Sequence, residues 1–462
     1  MATIEKRQQM PSSATAHSNY GYINLLTGLL VAIGAIGFEI EIVTSVGLGL
    51  FAYSVFWFVN ATGKEIAIAP VVALIATAQW IVGPYFAYYY DAETYKYRMY
   101  VEEDAYFLFV VPALAMFIFF IRYFSPIINI DTVREIILRT TILKSHNIYY
   151  VFAIGVVADL TTSSLPYSLQ FIFFLISQFT FIGTIYMMVL RMKLRWICLA
   201  ISFGLVFFSS VEYSLFHVLL LWSTLIASYI CAEFRIRFVT KLGFMILSIL
   251  LVAQLQAAKS EYRLRIYQNP QNANISTLVD TIVENSLFEN SQFTSSASNV
   301  GILNARLNQG WIISAIMNYV PAVQPFENGS TILYAIQDSL FPRFLFDKRA
   351  VSLSDGFRKY TGLKVSDNTS FGISVMGEAW VNFGYYGIIF MGAFGMFYGY
   401  TFKGILLISR SYPTVIFWIP LIFLQATKAE TETVVVLNHI VKSGLLVAMF
   451  YFMAYKVLKW RI

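Results

Sequence analysis

The sequence predicts an all-α polytopic membrane protein of about 12 transmembrane helices with one large helical external loop. Three observations predict it. Hydrophobic residues make up 58% of the 462-residue chain and charged residues only 13%, for a mean hydropathy of +0.65. The apolar residues fall into blocks of roughly 17 to 25, the length that crosses a hydrocarbon core as a helix. These blocks are too long and too evenly apolar for the alternating strands of a barrel, and backbone groups in hydrocarbon must be satisfied internally. A soluble chain of this size would need a far more charged surface.

Taken in order, the expected spans are 22–38, 41–59, 66–89, 104–122, 147–161, 167–190, 195–210, 211–230, 240–257, 374–402, 412–427 and 433–456. The first follows a polar stretch, "MATIEKRQQMPSSATAHSNYGY", and no small-residue cleavage pattern succeeds it, so no removable signal peptide is read. The fifth runs into "DLTTSSLPY" around Pro166, where a broken or re-entrant helix is the alternative. The spans divide the chain into an N-terminal membrane region (1–257), an external loop domain (258–372) and a C-terminal membrane region (373–462).

Charge tests the count, because Lys and Arg concentrate in short cytoplasmic loops. With the N-terminus inside, the cytoplasmic segments take Lys6 and Arg7, the group Arg134, Arg139 and Lys144, the group Arg191, Lys193 and Arg195, and finally Lys456, Lys459 and Arg461. The short external turns carry "EIE", "SSVE" and "TKAETE". Both termini are therefore expected in the cytoplasm. The net charge of +6 reflects this topology and a basic external surface rather than nucleic-acid binding. Two cysteines (Cys198, Cys231) and four scattered histidines offer no metal-binding spacing.

The loop of about 115 residues is patterned for order. "NARLNQGWIISAIMNYV" (304–320) has an amphipathic helical period, "VPAVQPFENG" is a turn-rich break, and "STILYAIQDSLFPRFLF" is a second short helix ended by Pro342. Its arginines are the strongest feature. Arg263 and Arg265 sit just past span nine, Arg306 opens the amphipathic helix close to Gln309, and Arg343 follows Pro342. Guanidinium forks match phosphate oxygens, and phosphates at an outer membrane face belong to lipids. Non-specific head-group contact, or ion pairs with Asp338, Asp347 and Asp355, is the plainer reading.

Where the loop re-enters the membrane, "FGISVMGEAWVNFGYYG" (371–387) is apolar and glycine-rich except for Glu378. An ionisable group in a span marks a functional site by default: a base or a positioning carboxylate, the plainer alternatives being a helix cap or the partner of a loop arginine. At the same outer level lie Gln425, Lys428, Glu430, Glu432, His439 and Lys442. With a helix beginning near Glu432, His439 and Lys442 fall three apart on one face, expected to line an outward-opening polar cavity. The alternative for His439 is a hydrogen-bonded packing histidine.

The spans, the late external loop, the run from Arg306 through "QGW" to Pro321, "PFENG", the Pro342–Arg343 pair and "GISVMGEAWVNFG" together resemble the O-antigen polymerase (Wzy-type) family of bacterial membrane glycosyltransferases. The resemblance covers residues 250 to 400. It implies a GT-C-like polymerase or ligase architecture in the bacterial inner membrane with the loop in the periplasm. It also implies an undecaprenyl-pyrophosphate-linked oligosaccharide substrate, no cofactor or metal, and contact with membrane lipids and a chain-length regulator protein. Arg306 and Arg343 match the family's pyrophosphate-binding loop arginines, Arg263 and Arg265 match loosely, and Glu378 matches the acidic position. As catalytic groups, Glu378 and then His439 are the candidates to receive the acceptor hydroxyl's proton, with Lys428, Lys442 and Gln309 as further polar cavity residues. A flippase for lipid-linked saccharides and a polysaccharide ligase are the competing readings; the absence of a loop histidine weighs against the ligase.

Overall fold

The computed structural model describes residues 20–90, 97–140, 145–213, 217–269, 274–289, 307–341, 353–365 and 371–460. The elements are α1 (Tyr20–Gly37), α2 (Ile42–Ala61), α3 (Ile68–Thr77), a wide turn (Ala78–Val82), α4 (Gly83–Tyr90), α5 (Glu103–Phe124), α6 (Ile130–Thr140) and α7 (Ser145–Thr162). There follow α8 (Tyr167–Ser177), α9 (Phe179–Val189), α10 (Arg195–Tyr213), α11 (His217–Phe234), α12 (Phe238–Gln268) and α13 (Ile275–Glu289). The loop domain supplies α14 (Gly310–Tyr319), α15 (Ser330–Leu340) and α16 (Leu353–Thr361). The chain ends with α17 (Ser374–Phe383), α18 (Gly387–Ser409), α19 (Ile419–Ile422) and α20 (Thr433–Phe452). Among the described residues the protein is all-α, with one isolated bridge between Glu65 and Asn129. Six helical runs among the described residues are, by length and composition, long and apolar enough to cross a membrane, consistent with a polytopic membrane protein.

Local chemistry sets several of these elements. α5 has Glu103 and Asp104 in its first turn and Arg122 in its last, each matched to the helix dipole. α7 runs unbroken to Thr162, and Pro166 stands between helices as the N-cap of α8, so the fifth span is not broken at that proline. The sixth span instead bends at Gln178. There the side-chain amide donates to the Phe174 carbonyl and its oxygen accepts the Trp222 indole N–H at 2.6 Å. α12 is 31 residues long and carries the chain through position 258 without a break, so the expected start of the loop domain falls inside a helix.

Two segments depart from the expected spans. Residues 374–402 were expected as one helix, but the chain turns sharply at Gly384, whose φ of +54° is a conformation side-chain-bearing residues rarely adopt. A Cβ placed on Gly387 would stand 2.6 Å from the Ala379 carbonyl oxygen, whereas residues eight apart in a continuous helix are separated by about 12 Å. α17 therefore folds back on α18 as a helical hairpin. α18 then packs along α5, and its Gly395 comes so close to the Phe117 backbone that an added Cβ would meet that carbonyl at 2.5 Å.

The second departure is 412–427, a 3₁₀ turn over Pro413–Trp418 followed by the four residues of α19 and by turns. It nevertheless returns along the whole of α20. Thr414 Oγ1 and Tyr451 Oη are 2.8 Å apart at one end, the Leu421 carbonyl meets His439 midway, and Thr431 reaches Val375 near the other. From Thr433 to Tyr451 is about 27 Å of helix. Irregular backbone at membrane depth is tolerated where protein surrounds it, and nearly every residue from Thr414 to Ala429 is buried. Pro413 and Pro420 each stand in the first turn of a short helical segment, and Pro420 lacks the N–H that would continue the first segment as regular helix into the second.

Candidate functional site

The three stretches that stand out in the sequence between 306 and 387 converge in space. α14 was expected to be amphipathic but is buried from Gly310 through Met317, because it is wedged between α17 and the α3–α4 turn. It starts at Gly310, four residues after Arg306, with Asn308 at its head: Asn308 Oδ1 accepts the Trp311 N–H at 3.0 Å and its amide donates to the Tyr97 carbonyl. The Gln309 N–H donates to the Gln79 carbonyl at 3.1 Å. Gly310 is required there, since a Cβ would collide with the Tyr106 hydroxyl and the Pro84 ring.

α17 is stitched to the loop domain from the other side. The Trp380 indole donates to the Val320 carbonyl at 2.9 Å. Glu327 N–H donates to the Val381 carbonyl and Gly329 N–H to Asn382 Oδ1, each at 3.0 Å. Asn382 completes the junction by donating to Thr331 Oγ1 and to the Glu378 carbonyl. The turn "PFENG" thus caps the tip of the hairpin, with Phe326 against Gly384.

Glu378 is 5% exposed and sits in the second turn of α17. Its Oε2 accepts the Thr433 N–H at 2.9 Å, the first residue of α20. Glu432, the residue before, returns the contact: its Oε1 accepts the Ile373 N–H at 3.0 Å. Each carboxylate caps the start of the other's helix, and Val375 N–H donates to the Thr431 carbonyl between them. Helix N-termini hold four unsatisfied N–H groups and the positive end of the dipole, so two acids can be buried side by side here. Neither makes an ion pair among the described residues.

The other expected residues divide. Arg306 and Arg343 lie outside the described residues, as does the side chain of Arg263. Arg265 pairs with Glu284 of α13, in a separate cluster built on Val211, Tyr262 and Leu278. His439 is buried with its Nε2 2.8 Å from the Leu421 carbonyl, and its Nδ1 has no partner. A carbonyl only accepts, so Nε2 carries the proton. Lys442 was expected to share a cavity face with His439, but it is exposed and stands over the Phe171 ring of α8. Residues three apart on a helix are only about 60° apart in projection, so Lys442 lies at the exposed edge of the face that His439 buries, and its long side chain reaches out over Phe171. Lys428 is half-buried on the return segment, and Gln309 is half-buried at the head of α14.

Trp380, which the sequence offers as an interfacial anchor, is instead buried and bonded to the loop domain, and sequence reasoning missed Glu432 as a partner, together with Asn382 and Asn308. Only Asn308 had a local signal, an N-cap residue placed two positions before a buried helix. Among the described residues no group of three or more His, Cys, Asp or Glu side chains is placed to hold a metal ion. No protein-family model, curated protein or solved structure matches this chain.

Proposed function

We propose that this chain is a membrane glycosyltransferase of the bacterial inner membrane, with GT-C-like architecture, both termini cytoplasmic and its loop domain in the periplasm. It polymerises undecaprenyl-pyrophosphate-linked oligosaccharide repeat units into O-antigen or a related surface polysaccharide. The observation that carries this reading is the convergence of "QGW…VP", "PFENG" and "GEAWVN" on one junction, through Trp380, Asn382 and Glu327. Residues far apart in sequence that carry the resemblance meet around one buried acid at the base of the loop domain.

The chemistry fits such a junction. Breaking the anomeric C–O bond leaves positive charge on the sugar and negative charge on the departing pyrophosphate, so fixed guanidinium groups beside that oxygen stabilise the transition state more than the ground state. Arg306 and Arg343 supply them in this reading. The acceptor hydroxyl gives its proton to a hydrogen-bond acceptor, a role we assign to Glu378. The substrate places the site beside membrane lipids and a chain-length regulator within reach.

The test is to add purified protein to a synthetic polyprenyl-pyrophosphate oligosaccharide and resolve the products by length. A ladder is expected, and it is expected to vanish in Arg306→Ala and Arg343→Ala protein that still folds. Unchanged substrate with folded wild-type protein overturns the reading. Movement of intact substrate across a vesicle membrane would replace it with the flippase.

A further inference from the structure

A cavity of about 20 Å³ lies where the α3–α4 turn, α5, the α17–α18 hairpin and the return segment meet, walled by Trp80, Phe117, Val375, Phe394, Tyr398 and Lys428 among others. Roughly 10–15 Å³ holds one water-sized atom, so this space admits a single small atom and excludes a phosphate or a sugar. No acidic side chain lines it.

Two of the groups on its wall can only donate hydrogen bonds. Trp80 is 3% exposed and its Nε1–H has no acceptor; an indole nitrogen offers nothing but that proton. Lys428 is half-buried and makes no hydrogen bond or ion pair among the described residues. Glu430, two residues along, is exposed. The Tyr398 hydroxyl has its own proton directed at the Ala426 carbonyl, 3.3 Å away. An ammonium against phenylalanine, valine and methionine side chains is costly unless charge of the opposite sign is supplied. The solvent-exposed Glu430 carboxylate acts on the ammonium from outside the cavity; a neutral water inside would satisfy the donors but add no charge opposite to it, whereas an anion does both.

We infer that this cavity binds a small monoatomic anion of chloride size between Lys428 and Trp80. Such an ion ties the irregular return segment to the α3–α4 turn. Val375, which lines the same space, is three residues before Glu378, so the ion stands under the hairpin that carries the acid. The inference does not depend on the proposed transferase activity.

The experiment is thermal unfolding of the full chain in detergent, in sodium chloride, bromide or gluconate at equal ionic strength. Chloride and bromide are expected to raise the midpoint by several degrees over gluconate, which is too large to enter. The difference is expected to disappear in Lys428→Met and to fall by half or more in Trp80→Phe, which keeps a ring but loses the N–H. Lys428→Gln replaces Lys428→Met if the latter does not fold. Equal midpoints in the three salts for the wild type overturn the inference. So does a halide shift that persists undiminished in the variants, since a general salt effect would survive them.

Discussion

The Glu378 carboxylate accepts the Thr433 N–H at 2.9 Å, while Glu432 accepts the Ile373 N–H at 3.0 Å, so two helices that start 59 residues apart each cap the other. A structural cap and a proton acceptor respond differently to substitution. Glu378→Gln keeps an oxygen that can accept from Thr433, so unfolding should change by no more than about 1 kcal/mol. Glu378→Ala leaves a buried N–H unpaired and should cost about 1–3 kcal/mol. If Glu378 receives the acceptor proton, Gln should also reduce the rate of ladder formation by about 10²- to 10⁴-fold. A Gln variant with wild-type rate would reduce Glu378 to its capping role.

Asn382 joins three elements through Gly329, Thr331 and the Glu378 carbonyl, and Trp380 holds the Val320 carbonyl. Asn382→Ala should therefore destabilise the loop domain's attachment by about 1–3 kcal/mol, and Trp380→Phe by a similar amount. Limited proteolysis should show faster cleavage near 321–330 in both. Unchanged cleavage in both would mean that the apolar packing of α14 and α17 holds the junction by itself.

The approach of α14 to the α3–α4 turn leaves no room for a side chain. A Cβ on Gly83 would stand 2.5 Å from the Asn308 Cα, a backbone atom that cannot swing away. Gly83→Ala should cost about 1–3 kcal/mol through overpacking. Gly204, in α10, has nothing within 4 Å of the same position. Gly204→Ala should be neutral or stabilising by up to about 1 kcal/mol, as alanine favours helix. Thermal midpoints of the pair measured side by side check the assignment of close contact.

These glycines also mark how far the sequence could be read. Apolar block lengths located most helices, and the acidic run before Thr433 placed the start of α20 with Glu432 at its cap. The hairpin was hidden, because "GYYG" inside an apolar run reads equally well as a packing face of one straight helix. What bends it is a tertiary contact, Phe326 of the loop domain seated on Gly384 at positive φ. The return segment carried a readable sign in Pro413 and Pro420, but apolar composition outweighed it. The reciprocal bonds of the carboxylates had no local sign, since neither side chain bonds an N–H of its own helix.

On the loop domain, Glu327 accepts from Lys359, Ser330 and Tyr360. Burial would push its carboxyl up, but the hydrogen bonds from Lys359 and Ser330 outweigh that and hold it below the ordinary value of 4.5. Burial likewise opposes the charged form of Lys359, yet Glu327 and Tyr360 hold its ammonium above 10.5. A lowered acid contributes stability above pH 4.5 that is lost as pH falls through its folded value. A raised base contributes stability below pH 10.5 that is lost as pH rises beyond it. The loop domain should therefore be pH-insensitive at this contact between 4.5 and 10.5 and loosen outside that window. With Lys359 half exposed, the amount is about 0.2–1 kcal/mol. Glu327→Gln should remove the acid limb in a proteolysis or unfolding series; an unchanged limb would assign it to other carboxylates.

His439 donates from Nε2 to the Leu421 carbonyl at 2.8 Å, on a stretch of irregular backbone where that oxygen also accepts the Leu424 N–H at 3.2 Å. Its other nitrogen has no protein partner, and it is this Nδ1 that a reactive role would use. His439→Gln can still donate to Leu421 but loses the imidazole, whereas His439→Phe fills the volume and leaves the carbonyl only its Leu424 N–H. For a packing histidine, Gln should retain both folding and laddering, and Phe should cost about 0.5–1.5 kcal/mol with activity falling only as folding does. For a catalytic histidine, both variants should lose laddering while the Gln protein remains as stable as the wild type. Because Lys442 is exposed and stands over Phe171, Lys442→Met should leave laddering unchanged in either case, and a loss of activity there would place the reacting groups at the exposed edge of α20 instead.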